Sequence, residues 1–207
     1  MIFSTPATVK MKMKNMQLIL ASTSPYRKEL LSRLHLTFKT ARPDADETPL
    51  NGEMPEELAL RLANLKAESL VALHPDSLII GSDQVSTLDD VTPVGKPGSM
   101  EKAFEQLRAS SGKTVIFYTG LCVLNTATGQ KETLVDRYEI QFRELSDAEI
   151  HRYIELEMPL DCAGSFKSEG LGSALFARHL GADPTSLIGL PLIALCGALQ
   201  RQGMPVL

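Results

Sequence analysis

A five-residue apolar run that stops at a helix cap constrains this chain most. Gln17-Leu18-Ile19-Leu20-Ala21 has the length of a buried strand, and Ser22-Thr23-Ser24-Pro25 follows without a gap. Serine and threonine side chains accept the free amides of a first helical turn, and proline suits its opening position. Leu30, Leu31 and Leu34 recur at helical spacing, which predicts a helix from Pro25 to about His35. A strand feeding directly into a helix is how an α/β fold opens.

The rest of the chain continues the pattern. Phe38–Ala41 is a second candidate strand, and the loop from Arg42 to Asn51 carries Pro43, Pro49 and the acids Asp44, Asp46 and Glu47. A long helix starts near Pro55, with Leu58, Leu62, Leu65, Ser69 and Leu73 on its apolar side, and stops at His74-Pro75-Asp76. Ser77 to Val85 is a buried strand that turns polar at its end. Met100–Ser110 and the segment from Ser146 to about Glu155 read as helices, and Pro191–Gln202 as an apolar one. Val115–Leu124 and Thr133–Phe142 are two longer strands joined by a turn at Thr126–Gly129. Cys162–Leu175 is glycine-rich and irregular. Strands alternating with helices, then a hairpin, predict a mixed sheet flanked by helices. Residues 1–15 read as a loose extension, with Met11, Met13 and Met16 as alternative starts, and residues 16–207 as one domain.

Composition narrows the function classes. With 21 Lys plus Arg against 25 Asp plus Glu, the net charge is −4, which argues against non-specific wrapping of nucleic acid. No apolar run reaches the roughly 18–20 residues of a membrane span, and the opening lacks the apolar core of a secretory signal. Three widely spaced cysteines, Cys122, Cys162 and Cys196, suit free thiols in a reducing compartment, so a cytoplasmic location is expected. The four histidines lack zinc-helix spacing. Gly112-Lys113-Thr114 is not a phosphate loop, because Leu107 stands where the motif needs glycine. Gly170-Leu171-Gly172 lacks the third glycine of a dinucleotide site.

Four features carry candidate chemistry. In Ser22-Thr23-Ser24-Pro25-Tyr26-Arg27, free amides at a helix N-terminus attract anions, and Arg27 adds a cationic fork; a plain capped helix is the alternative. Asp83 closes a buried strand, where open α/β sheets bind ligands; it could act as a base, orient water or hold a cation, or simply form a turn. Lys66 and Lys96 are further cations, the second fixed between Gly95 and Pro97; solvated surface lysines are the bland reading. Glu47 sits in an acidic loop able to hold Mg²⁺ or Mn²⁺, or only to be solvated. Together these parts suit phosphoanhydride hydrolysis.

The same residues carry a resemblance. Leu20-Ala21-Ser22-Thr23-Ser24-Pro25-Tyr26-Arg27-Lys28-Glu29-Leu30-Leu31 resembles the N-terminal signature of the Maf nucleotide pyrophosphatases. Asp46-Glu47-Thr48, Lys66-Ala67, Gly81-Ser82-Asp83-Gln84-Val85, Gly95-Lys96-Pro97, Tyr118-Thr119-Gly120 and Gly189-Leu190-Pro191-Leu192 continue it in order from Met16. Ser82-Asp83-Gln84 and the stretch Cys162–Gly172 resemble the branch that hydrolyses 7-methyl-GTP rather than the one acting on dTTP and UTP.

The resemblance implies an elongated mixed sheet flanked by helices, with two lobes and a deep cleft as in inosine-triphosphate pyrophosphatases. It implies cleavage of a nucleoside triphosphate to monophosphate and pyrophosphate with a divalent cation, Mg²⁺ or Mn²⁺. Asp83 would accept the proton of water and, with Glu47, hold the metal. Ser22, Ser24, Arg27, Lys66 and Lys96 would bind phosphates, and Tyr26, Gln84 and Glu169 would set base specificity. The partner is then a small nucleotide, with neither nucleic acid nor membrane involved, and a homodimer is a candidate assembly. Alternatives are dTTP or UTP as substrate, or a nucleotide-binding regulator of septum formation with little turnover.

Overall fold

The computed structural model describes residues 16–207, so the extension expected over residues 1–15 lies outside it. The strands are β1 (Gln17–Ala21), β2 (Phe38–Ala41), β3 (Ser77–Thr87), β4 (Pro93–Val94), β5 (Thr114–Asn125), β6 (Lys131–Phe142) and β7 (Phe176–Leu180). The helices are α1 (Pro25–Ser32), α2 (Pro55–Glu68), α3 (Met100–Ser110), α4 (Asp147–Glu157) and α5 (Leu192–Arg201). Short 3₁₀ turns occupy Ala163–Ser165, Leu171–Leu175 and Ser186–Ile188.

The strands form one mixed sheet in the order β2-β1-β3-β5-β6-β7, with β4 paired to β3. β2, β1 and β3 run parallel; β3, β5, β6 and β7 pair antiparallel. This is the mixed α/β architecture that the alternation of strand and helix predicts.

Side chains alternate between the faces of a strand, so the long strand β5 serves four cores, one of them joining Tyr118 to Leu58 and Leu62 of α2. Val115 and Phe117 pack with α3, α4 and Phe166 at one end. Leu121 and Val123 lie on the same face at the other end, packed with β1, α1 and α5. Cys122 and Leu124 point to the opposite face, under Ala63 and Ala67 of α2. Burying each such leucine or phenylalanine contributes about 1.5–3 kcal/mol, which anchors the separate elements to one sheet.

Two helices end earlier than their patterns suggest. α1 stops at Ser32 rather than near His35, which takes a left-handed turn (φ 54°) into β2. α2 stops at Glu68, and Leu73 is 71% exposed rather than on an apolar face. There Ser69 Oγ donates to the Lys66 carbonyl, a local bond that competes with helix continuation.

Candidate active site

β1 pairs with β3 only from Gln17↔Ser77 to Leu20↔Ile80. Past Ile80 the edge of β3 is open until β4 joins it at Ser86. A cavity of about 540 Å³ fills that gap, just beyond the C-terminal end of β1. Ligands of open α/β sheets bind in such a place.

The turn after β1 forms one wall. Ser24 N–H donates to Ser22 Oγ at 3.1 Å, and Arg27 N–H donates to Ser24 Oγ at 3.4 Å. Each hydroxyl therefore accepts from the backbone, which leaves its own hydrogen to offer. Arg27 reaches across the chain, its Nε donating to the Gly189 carbonyl at 2.8 Å. That bond fixes the base of the guanidinium and leaves both terminal nitrogens for a ligand. Burial lowers the Arg27 pKa from its ordinary value, while Asp83 and Glu47 push it back up. Gly189 is left-handed (φ 116°), and its carbonyl also accepts from Ser82 Oγ at 2.9 Å.

Lys66 holds the centre. Its Nζ lies 2.5 Å from Asp83 Oδ1 and 2.9 Å from Glu47 Oε1. Burial works against ionisation of Glu47. Lys66, Lys96 and Arg27 together outweigh it, Lys66 leading, so the carboxyl titrates below its ordinary range. Glu47, Asp83, Lys66, Lys96 and Arg27 all line the cavity. Glu47 and Asp83 thus converge on one cationic point with oxygen donors alone, a set that fits a hard divalent cation. Among the described residues no group of three or more His, Cys, Asp and Glu side chains is placed to hold a metal. A cation here takes part of its shell from elsewhere, as Mg²⁺ at phosphate sites does.

A second cluster has a different chemistry. Tyr26, Asp161, Cys162, Phe166, Ser168 and Glu169 line the cavity together. Cys162 Sγ lies 3.9 Å from the Tyr26 hydroxyl and 3.5 Å from Asp161 Oδ1. Burial, followed by the charge of Asp161, pushes the Cys162 thiol up to about 12. Burial and the same neighbours hold the Tyr26 phenol well above its ordinary value. Gln84, next to Asp83 in β3, is tightly anchored. Its Nε2 meets the carbonyls of Ser186 at 2.7 Å and Leu187 at 3.0 Å, and Thr119 Oγ1 at 3.2 Å. Its remaining polar atom is Oε1, an acceptor.

The structure therefore brings every sequence-predicted site residue into or onto this cavity. Asp161 was not among them; its only signal is an acid directly ahead of the glycine-rich stretch. Gln106 was also missed. Its Nε2 donates to the Gly95 carbonyl at 3.0 Å, and its Oε1 accepts from the Ser165 hydroxyl. It thereby ties the Lys96 loop to the wall that carries Cys162. Gly112-Lys113-Thr114 falls at the start of β5, away from the cavity lining. No described helix is long and apolar enough to cross a membrane.

Comparison with known proteins places the chain in a family. Residues 17–202 match the family described as Maf-like protein. A 7-methyl-GTP pyrophosphatase of Vibrio cholerae serotype O1 is 55% identical over 94% of this chain and 100% of its own length. Proteins of the same name from Nitrosococcus oceani and Cupriavidus metallidurans are 53% and 55% identical, over 92% and 91% of this chain and 95% and 94% of their own. The match runs from β1 through α5 and so takes in both walls of the cavity: the chain belongs to the Maf family.

Proposed function

We propose that this chain hydrolyses 7-methyl-GTP to 7-methyl-GMP and pyrophosphate, within a single domain spanning residues 16–207. The observation that carries the reading is the division of one cavity into two chemistries. Three cations surround paired carboxylates in one cluster, and a tyrosine stands beside acidic side chains in the other. Relatives of more than half identity bear the name of that activity.

The residues divide the work. Arg27, Lys66 and Lys96 bind the triphosphate oxygens, and Ser22 and Ser24 donate their hydroxyl hydrogens to it. Arg27 presents a bidentate fork, because Gly189 occupies only its Nε. Asp83 orients a water and takes its proton as the oxygen adds to phosphorus; the bridging P–O bond of the α–β anhydride breaks and the two products part. Glu47 and Asp83 would hold a divalent cation, Mg²⁺ or Mn²⁺, which when bound supplies charge neutralisation at the phosphates.

The base is read by Tyr26, Gln84 and Glu169. Methylation at N7 gives guanine a delocalised positive charge, and a tyrosine ring stacked on such a cation contributes about 0.5–2 kcal/mol. Glu169 can accept from N1–H and the exocyclic amine, a paired donor edge that thymine and uracil lack. Gln84 adds an acceptor whose position the Ser186–Leu187 backbone fixes.

The test is pyrophosphate release from 7-methyl-GTP, GTP, dTTP, UTP and CTP, with Mg²⁺ and with Mn²⁺, for wild type and Asp83→Ala. Selective turnover of 7-methyl-GTP that Asp83→Ala abolishes is the expected result. Preferential turnover of dTTP or UTP would reject the assignment of Tyr26, Gln84 and Glu169. Nucleotide binding without turnover would turn the site into a sensor.

A further inference from the structure

Two carboxylates on the cavity wall lack a cationic partner. Asp161 and Glu169 both line the cavity. Among the described residues, neither lies within 4.0 Å of a lysine, arginine or histidine side-chain nitrogen. The cavity's other carboxylates, Glu47 and Asp83, share Lys66. The one cation in the same segment is turned away: Lys167 Nζ donates to the Glu157 carbonyl at 2.5 Å, at the end of α4. Phe166 and Ser168 line the cavity on either side of it, and Lys167 does not. This wall is therefore negative, with no fixed positive charge of its own.

The two carboxylates differ in what they can read. A carboxylate hydrogen-bonded to the N1–H and amine edge of guanine accepts from the neutral and the methylated base alike. It separates guanine from pyrimidines but separates 7-methylguanine from guanine only weakly. Telling those two apart requires sensing charge. Asp161 stands beside Cys162 and within the group of side chains around Tyr26. It is exposed, so water screens it while the cavity is open. A base seated on Tyr26 displaces that water and strengthens any charge interaction across it.

We propose that Asp161 is a specificity-determining residue, whose carboxylate selects a purine base carrying a permanent positive charge over its neutral counterpart. The inference rests on the 7-methyl-GTP reading and adds to it the residue that distinguishes methylated from unmethylated guanine. Asp161→Asn removes the charge and keeps the shape and an acceptor for the Cys162 thiol.

The experiment compares kcat/KM for 7-methyl-GTP and GTP in wild type and Asp161→Asn, at low and high salt. The expected result is a fall of about three- to tenfold in the 7-methyl-GTP to GTP ratio, carried by KM and smaller at high salt. An unchanged ratio, or equal losses on both substrates, overturns the role of Asp161. Calorimetric binding of 7-methyl-GMP and GMP to the same two proteins reads the ratio independently of turnover. A wild-type enzyme with no preference for 7-methyl-GTP over GTP overturns the substrate reading itself, and Asp161 with it.

Discussion

Lys66 Nζ stands 2.5 Å from Asp83 Oδ1, although 17 positions of sequence separate the two residues. One comes from α2 and the other from β3, and what lets them meet is missing side chains. A Cβ at Gly81 would lie 2.1 Å from the Ala63 carbonyl oxygen, and one at Gly120 would lie 2.2 Å from that of Ala59. Asp83 pairs directly with Gly120 in the sheet. Ala59, Ala63 and Ala67, one helical turn apart, are the facing residues of α2 and are fully buried. The helix backbone thus rests against bare strand backbone, and the lysine stem spans what remains.

Gly120→Ala tests that contact. The new methyl forces α2 away from β5, at a cost of about 1–3 kcal/mol in stability. Denaturant midpoints read the cost. At a temperature where the variant is fully folded, kcat should fall by about tenfold or more, because Lys66 and Asp83 no longer hold their spacing. Wild-type kcat in a destabilised variant would show that the close approach serves packing alone.

Asp83→Asn should lower kcat by about 10²- to 10⁴-fold, the range expected for losing a general base. Binding of 7-methyl-GMP by calorimetry should persist within a few-fold. A variant that retains more than a tenth of wild-type kcat would remove Asp83 from proton transfer.

Lys66→Met should move the acid limb of the pH profile upward. In the wild type Lys66, with Lys96 and Arg27 behind it, offsets the burial of Glu47 and holds its carboxyl below the ordinary range, so Glu47 is ionised well into mildly acidic solution. Without the ammonium, burial acts with less opposition, and the Glu47 pKa rises. The ionised form is then lost at higher pH as the solution is acidified. The profile of kcat/KM against pH for the two proteins measures this, and an unmoved limb would refute it.

Gln106→Ala cuts the tie between the Lys96 loop and the Ser165 turn. Each lost hydrogen bond contributes about 0.5–1.5 kcal/mol to holding the walls together. KM for 7-methyl-GTP should rise several-fold with a smaller change in kcat, since Gln106 does not line the main cavity. A change confined to the melting temperature would assign Gln106 to stability only.

Cys162 should resist alkylation although it faces a cavity. With its thiol pushed up to about 12, its thiolate fraction at pH 8 is about a thousandfold below that of an ordinary cysteine. Site-resolved mass spectrometry after iodoacetamide treatment reads this directly. Asp161→Asn should speed the reaction, because Asp161 is the second cause of the shift after burial.

Much of this molecule is legible in the linear chain. Apolar runs marked β1 and β3, caps at Ser24 and Ser146 marked helix starts, and the hairpin of β5 and β6 followed from two long strands and a glycine turn. Those signals are local: periodicity and capping depend on residues within a turn or two of each other. β7 escaped them because it is an edge strand, four of its five residues are exposed, and it carries no buried stripe. Ser22, Ser24 and Arg27 could be singled out because a helix start attracts anions; Asp83 was expected to close its strand, whereas β3 runs on to Thr87, and Tyr26, Gln84 and Glu169 followed only from the family resemblance.

Their assembly belongs to the tertiary structure. That Lys66 is shared by Glu47 and Asp83, that Arg27 is held by Gly189, and that Asp161 joins Tyr26 and Glu169 on one wall are contacts between distant stretches of chain. Such contacts depend on how closely a helix can approach a sheet and on where one strand outruns its neighbour. Both are decided by packing and pairing across the sheet, because volume and hydrogen-bond register are properties of facing elements rather than of any single one.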